Sequence, residues 1–477
     1  MFWHGWLLLL GVGVMTSLMG TILGRMFFHY LVFDDDSGEV KQPSVGARCI
    51  GGLGILGAVL MSLKMAHVHQ WMSSAEVGVV ASSVLFLFVI GVADDLWRLS
   101  YRMRGLSQVL ATGLMVYGGG IVLADLGEIM PSIAVELGSL APVLTVFAIL
   151  MVIHAFRKMD EMENLAGAVA LVSLLLLAIV MLGAEQPQWL VLLAALISGV
   201  VGVLGFNLLC RLRGRALTWL GSGGAMVLGL LLAWLLIGMS QGAARVITPM
   251  TALWLLAIPL IDVLAVLIRR VGHGQPLFAP DRFHLHHLLL RAGFRATDAV
   301  LMIVLLQGLL GVVGLAGLFE GVDEGWMLAG FLAVAAGWVW AVFRTERCLP
   351  ALRRLQHRLG WAKAESQGVF VGHFGLEAAV RVACTLQDEV TADSEYDLQV
   401  YQLDKDSDDP RLYALLETPL AEGSRCAWEL EQRVRRLRRS FSTLEGVEVR
   451  QYVRRAEHER RVQQRIVAQD RRQIDHR

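Results

Sequence analysis

The chain has 477 residues, 55% of them hydrophobic, with a mean hydropathy of +0.57. That is too apolar for a soluble globule. Its 42 Lys/Arg balance 42 Asp/Glu, yet residues 345–477 alone hold 23 of the basic and 22 of the acidic side chains. The segregation predicts a membrane domain over 1–344 and a soluble domain over 345–477. Cys49, Cys210, Cys348, Cys384 and Cys426 are widely spaced, which argues for free thiols over a disulfide framework or a zinc site.

Charge-free apolar runs of a length to cross about 30 Å of hydrocarbon fall near 4–24, 48–63, 75–93, 106–124, 140–156, 165–183, 188–206, 222–240, 246–268, 298–318 and 325–343. The predicted class is therefore an all-α polytopic membrane protein with about eleven transmembrane helices, followed by a small α+β domain. The first run has no Lys/Arg before it and no small-residue cleavage signal after it, so it reads as a retained span. The odd-numbered loops carry sixteen Lys/Arg and the even-numbered ones only Lys64 and Arg245. This asymmetry predicts a cytoplasmic C-terminus and an outside N-terminus. The outer loops 125–139 and 184–187 read as short and plain.

Four polar clusters lie in or beside the odd-numbered loops. Asp94 and Asp95 end the third span; adjacent carboxylates there are either solvated or hold a hard cation such as Mg²⁺. On an intact helix they point about 100° apart and cannot face one way. In His154-Ala-Phe-Arg157-Lys-Met-Asp160-Glu-Met-Glu163-Asn164, a helical reading puts Asp160 and Glu163 on one face, Arg157 preceding them. Such a face either binds a metal or neutralises itself by an ion pair. Asn207 is followed by an Arg-rich loop and by Gly221-Ser222-Gly223-Gly224, which reads as an anion-binding helix start or as close helix packing. Asp281-Arg282-Phe-His284-Leu-His286-His287 forms a nest suited to phosphate, with a metal box as the alternative. Mid-span positions are nearly empty of ionisable groups, Asp262 being the main exception, so catalysis or binding at one membrane face is favoured over transport.

Taken in order, these clusters resemble the bacterial polyprenyl-phosphate N-acetylhexosamine-1-phosphate transferases. The likeness is to the undecaprenyl-phosphate N-acetylglucosamine-1-phosphate transferase type, with phospho-N-acetylmuramoyl-pentapeptide transferase more distant. It covers about residues 5–345 and is densest from Pro259-Leu260-x-Asp262 through Pro280-Asp281-Arg282-x-His284-x-His286-His287 to Gly293. The resemblance implies transfer of a sugar-1-phosphate from a UDP-sugar to undecaprenyl phosphate with Mg²⁺, releasing UMP and initiating an envelope polysaccharide. It implies catalytic roles for Asp94, Asp95 and Asp160, metal contact by Asp94 and Asp95, and substrate binding by Asn207, Arg282, His284, His286 and His287.

Departures from the family pattern mark a degenerate site. Ser222 stands where a metal-ligating Asp is expected, His154 and Arg157 replace two Asn, Glu161 and Asn164 replace two Gly, and Glu163 replaces a second Asp. The basic run of the first loop is missing; Asp34-Asp35-Asp36 and Arg48 remain. A serine hydroxyl is a poor substitute for a charged oxygen on Mg²⁺. The alternative function is thus a catalytically lapsed member, acting as a lipid-phosphate, nucleotide-binding or regulatory subunit.

In the tail, 396–403 alternates as a strand, and 421–440 and 452–473 read as Arg-rich helices. A basic helix there either lies on anionic membrane lipid, meets an acidic protein partner, or is simply solvated. No nucleic-acid-reading motif is present.

Overall fold

The computed structural model describes residues 10–23, 45–97, 99–130, 133–181, 186–212, 218–242, 245–272, 274, 283–359, 366–374, 397–402, 412–419 and 449–454. They divide into two compact units, Met1–His286 with Val300–Phe343, and His287–Ala299 with Arg344–Arg477.

The first unit is helical. In chain order it contains α1 (Leu10–Leu23), α2 (Val45–Val68), α3 (Ser74–Trp97) and α4 (Tyr101–Gly113), the last running on as a π-turn over Leu114–Gly118. After the strands β1 (Asp125–Met130) and β2 (Ile133–Glu136) come α5 (Ala141–Met159), α6 (Leu165–Met181), α7 (Pro187–Leu212) and α8 (Gly221–Ser240). The helices α9 (Pro249–Leu255) and α10 (Ala257–Gly272) follow, and the short α11 (Leu285–Arg291) leads to α12 (Ala296–Phe319) and α13 (Glu324–Phe343).

Seven of these helices are long and apolar enough to cross a membrane, or eight when the bent pair α9 and α10 is one span. The chain is a multi-pass membrane protein. Segment 125–139, which the sequence left as a plain loop, instead folds into the antiparallel hairpin β1–β2. Gly127 there adopts φ +83°, a backbone conformation that glycine takes without a steric penalty.

The α9–α10 pair bends by 82° at Leu256. A break at that depth leaves backbone groups with no helical partner, and lipid supplies none. Side chains of neighbouring helices take over. Gln307 accepts from the Ile258 N–H at 3.0 Å and donates to the Leu255 carbonyl at 2.9 Å, to which the Ser173 hydroxyl also donates at 2.6 Å.

Helix α8 is the hub of this unit, with 89% of its span buried against α2, α3, α5 and α7. Glycines make the approach possible. A Cβ on Gly52 would meet the Gly224 Cα at 2.9 Å, one on Gly223 would meet the Phe88 carbonyl oxygen at 2.9 Å, and one on Gly91 would run into the Gly223 backbone. This close packing brings the last turn of α3 against the first turn of α8.

The second unit contains α14 (Thr345–Arg358) and a four-stranded antiparallel sheet of β3 (Ser366–Phe374), β4 (Asp397–Gln402), β5 (Leu412–Pro419) and β6 (Val449–Arg454), in the order β4-β5-β3-β6. The strand expected over 396–403 is β4. Residues 452–454, expected to open a helix, instead end β6: Val449, Tyr452 and Val453 favour strand, and β3 offers a partner from Val371↔Val449 to Ser366↔Arg454. The rest of that expected helix, and all of 421–440, lie outside the described residues. Neither Cys210 nor Cys348 forms a disulfide among the described residues.

Candidate active site

Helix α3 stays intact through Asp94 and Asp95, so the two carboxylates diverge as helical geometry requires. Asp94 is 5% exposed, and both of its oxygens are engaged. Oδ2 accepts from Arg157 Nη2 at 2.7 Å, and Oδ1 is 3.1 Å from Arg104 Nη2. Arg104 belongs to the first turn of α4 and also donates to the Leu99 carbonyl at 2.9 Å. The arginines repel each other. Burial and the charge of Arg157 pull the Arg104 pKa below its ordinary value, while Asp94 and Asp95 hold it up.

Asp95 points to α8 and accepts from the Ser222 backbone N–H at 2.8 Å. Asp160 is the residue after α5 and approaches the same turn, where the Leu220 and Gly221 N–H groups donate to it. Gly221 adopts φ +71°, which a side chain would oppose. The Gly221 and Ser222 N–H groups that begin α8 are therefore taken by this chain's own carboxylates. Of the two readings of the glycine-rich turn, close packing is the one that the contacts of Gly223 and Gly224 support.

Burial, and then the charge of Asp95, raise the Asp160 pKa well above the ordinary carboxylate value, against the opposing pull of the Leu220 and Gly221 N–H groups and of Arg157. The helical face expected for Asp160 and Glu163 does not form, because α5 ends at Met159 and residues 160–164 are turn and bend. Arg157 reaches across to Asp94 instead of pairing locally. Lys158 takes the local role and pairs with Glu161 at 2.9 Å.

Asn207 is 2% exposed and its amide is fully used. It donates to Asn164 Oδ1 at 2.6 Å and to the Thr218 carbonyl at 2.8 Å, and it accepts from the Thr218 N–H at 2.8 Å and hydroxyl at 2.7 Å. The cavity beside it measures about 10 Å³, room for one water. Asn207 thus pins the approach to α8. Asn164 sits at φ +63°, a conformation asparagine tolerates better than most residues, which explains how it stands where the resemblance expects glycine.

The histidine segment joins from α10. Asp262 is buried; its Oδ2 lies 2.9 Å from His284 Nδ1, and its Oδ1 accepts from the Leu285 N–H at 2.8 Å and from Trp338 Nε1 at 3.2 Å. A carboxylate on Nδ1 orients the ring. His284 and His286 stack with centroids 5.8 Å apart, and a His286 ring nitrogen lies within 4.8 Å of a Glu161 carboxylate oxygen, next to Asp160. His287 falls in the second unit, and Arg282 with 275–281 lies outside the described residues, as do Asp34, Asp35 and Asp36. Arg104 and Trp338 were not singled out in the sequence. A cation in a basic loop and a tryptophan in an apolar span carry no local signature.

A divalent cation fits this donor set poorly. Asp94 has an arginine on each oxygen, Asp95 and Asp160 cap α8, and Ser222 offers a neutral hydroxyl. An ion placed beside Asp94 would face two guanidinium charges, whereas Mg²⁺ prefers charged oxygens.

The fold and this cluster define a polytopic membrane protein whose acidic and basic groups converge where several helices end. Residues 77–240 match glycosyl transferase family 4, a stretch containing Asp94, Asp95, Asp160 and Ser222. The chain is 30% identical over 329 residues to an undecaprenyl-phosphate α-N-acetylglucosaminyl 1-phosphate transferase of Escherichia coli O157:H7, covering 68% of this chain and 88% of that protein. A Haemophilus influenzae protein of the same name is 30% identical over 349 residues, covering 72% and 98% respectively, and one of Yersinia pestis 29% over 335 residues. The chain belongs to this family of undecaprenyl-phosphate sugar-1-phosphate transferases.

Proposed function

We propose that this chain binds undecaprenyl phosphate and a UDP-N-acetylhexosamine at the Asp94 cluster and transfers the sugar-1-phosphate to the lipid with release of UMP. The reaction takes place at the cytoplasmic face of the bacterial inner membrane and initiates an envelope polysaccharide: O-antigen, exopolysaccharide or wall polymer. Eleven crossings with an outside N-terminus and a cytoplasmic tail fit the loop charges, and the bent, short and π-extended helices coincide with the remaining expected spans. The observation that carries the reading is the meeting of charged groups from α3, α5 and α8: Arg157 pairs with Asp94 across 63 residues of sequence, and the Ser222 N–H bonds Asp95 across 127. Family membership supports the substrate class.

In this reading Arg104 and Arg157 offset the repulsion between a diphosphate and an attacking lipid phosphate, and Asp95 and Asp160 hold the start of α8 in place. His284, oriented by Asp262, supplies a ring nitrogen for phosphate contact. Arg282 and His287 remain candidates for the same role, and the soluble tail is a candidate surface for a protein partner. A second reading, a catalytically lapsed subunit that binds lipid phosphate or nucleotide, is favoured by the arginines on both oxygens of Asp94. The test incubates the purified full chain with UDP-N-acetylglucosamine and undecaprenyl phosphate. UMP release that Asp94→Asn abolishes establishes the transferase; bound nucleotide with no release establishes the lapsed subunit. Absence of both binding and release would refute both.

A further inference from the structure

We propose that Arg104 and Arg157, bridged by Asp94, occupy the role of the divalent cation, so that this chain holds its ligand's phosphates without a metal ion. The inference rests on the ligand class proposed above and goes beyond it by naming what binds the phosphates.

Three observations carry it. First, the Arg–Asp–Arg bridge uses both oxygens of the carboxylate that would otherwise meet a cation, at 2.7 and 3.1 Å. Second, the guanidinium groups keep unmatched donors: the Nε atoms of Arg104 and Arg157 are both buried with no acceptor among the described residues. A buried N–H with no acceptor costs about 1–3 kcal/mol, and an incoming oxyanion relieves that cost. The two side chains are 24% and 19% exposed, so their edges are reachable from outside the cluster. Third, the remaining carboxylates are directed away from a cation: Asp95 and Asp160 bond the backbone of Ser222, Leu220 and Gly221.

Guanidinium suits the task. Its planar fork binds phosphate oxygens two at a time, and it stays charged at any physiological pH. Relative to the resembled pattern, serine for aspartate at 222 and arginine for asparagine at 157 each add one positive charge, while glutamate for glycine at 161 takes one back and is paired with Lys158.

The experiment measures equilibrium binding of labelled UDP-N-acetylglucosamine to the full chain in detergent, in EDTA and in millimolar Mg²⁺. The expected affinities agree within about threefold. Arg157→Asn should weaken binding in EDTA by about tenfold or more, which is about 1.4 kcal/mol, while Arg157→Lys keeps part of it. Because Arg157→Asn alone can fail to fold, Mn²⁺ titration followed by electron paramagnetic resonance supplies a second measurement. The unaltered chain should show no stoichiometric site, and the double variant Arg157→Asn, Ser222→Asp should gain one. Nucleotide binding that requires Mg²⁺, or a Mn²⁺ site in the unaltered chain that Asp94→Asn removes, would overturn the inference while leaving the proposed function standing. No nucleotide binding under either condition would overturn both.

Discussion

Arg157 Nη2 lies 2.7 Å from Asp94 Oδ2, a contact that ties the last turn of α5 to the last turn of α3. Removing one member strands a buried charge, whereas removing both leaves only the more exposed Arg104 without its carboxylate. Arg157→Ala should therefore destabilise the chain by about 3 kcal/mol, the low end of the usual range because Arg104 still holds Asp94. The double variant Asp94→Asn, Arg157→Ala should lose clearly less than the two single variants summed. Detergent unfolding curves for the full cycle measure the coupling, and additive losses would show that the pair contributes nothing as a pair.

Asp160 gives a pH signature. Its pKa is raised by burial first and by Asp95 second. A folded-state value above the unfolded one means the folded chain binds that proton more tightly. The stability it contributes is complete below the ordinary carboxylate range and is lost as pH rises through the raised value. Asp160→Asn keeps the neutral form at every pH. The melting-temperature difference, variant minus unaltered chain, should grow as pH rises from about 4 toward 8. A difference that is flat across that range would show that Asp160 is not perturbed.

The long helices were legible in the sequence because lipid demands long charge-free runs, and the seven described helices long and apolar enough to cross a membrane fall on expected spans. The divergence of Asp94 and Asp95 was legible as well, since it follows from helical geometry alone. The partners were not. That Arg157 reaches Asp94 rather than Asp160 depends on α5 ending at Met159, and that Asp95 caps α8 depends on glycine contacts between α3 and α8. Both are tertiary facts with no local periodicity. The hairpin β1–β2 was missed because its strands are only six and four residues long.

Asn207 serves as a clip, and its loss has a predictable cost. Asn207→Ala leaves the Thr218 N–H and carbonyl without their partner, in a site that is 2% exposed at both residue 207 and residue 218. Each abandoned buried group costs about 1–3 kcal/mol, so a loss of about 3 kcal/mol is expected, together with weaker nucleotide binding as α8 shifts. If the variant melts like the unaltered chain but loses nucleotide affinity, Asn207 contacts substrate directly and the clip is secondary.

Two glycines of α3 separate packing from propensity. Gly78 has nothing within 4 Å of an added Cβ, so Gly78→Ala should be neutral or stabilising by up to about 1 kcal/mol through helix propensity. Gly91 is different, because an added Cβ runs into the Gly223 backbone and lies 2.8 Å from Met226 Cε. A methionine tip can swing away, but the backbone of a helix buried on nearly every side cannot. Gly91→Ala should cost about 1–3 kcal/mol and push the first turn of α8 from α3. That displacement breaks the bond from the Ser222 N–H to Asp95, so nucleotide affinity should fall along with the melting temperature. An unchanged melting temperature in Gly91→Ala would mean that α3 and α8 do not approach as closely as the glycines imply, and the alignment of Asp95 with α8 would fail with it.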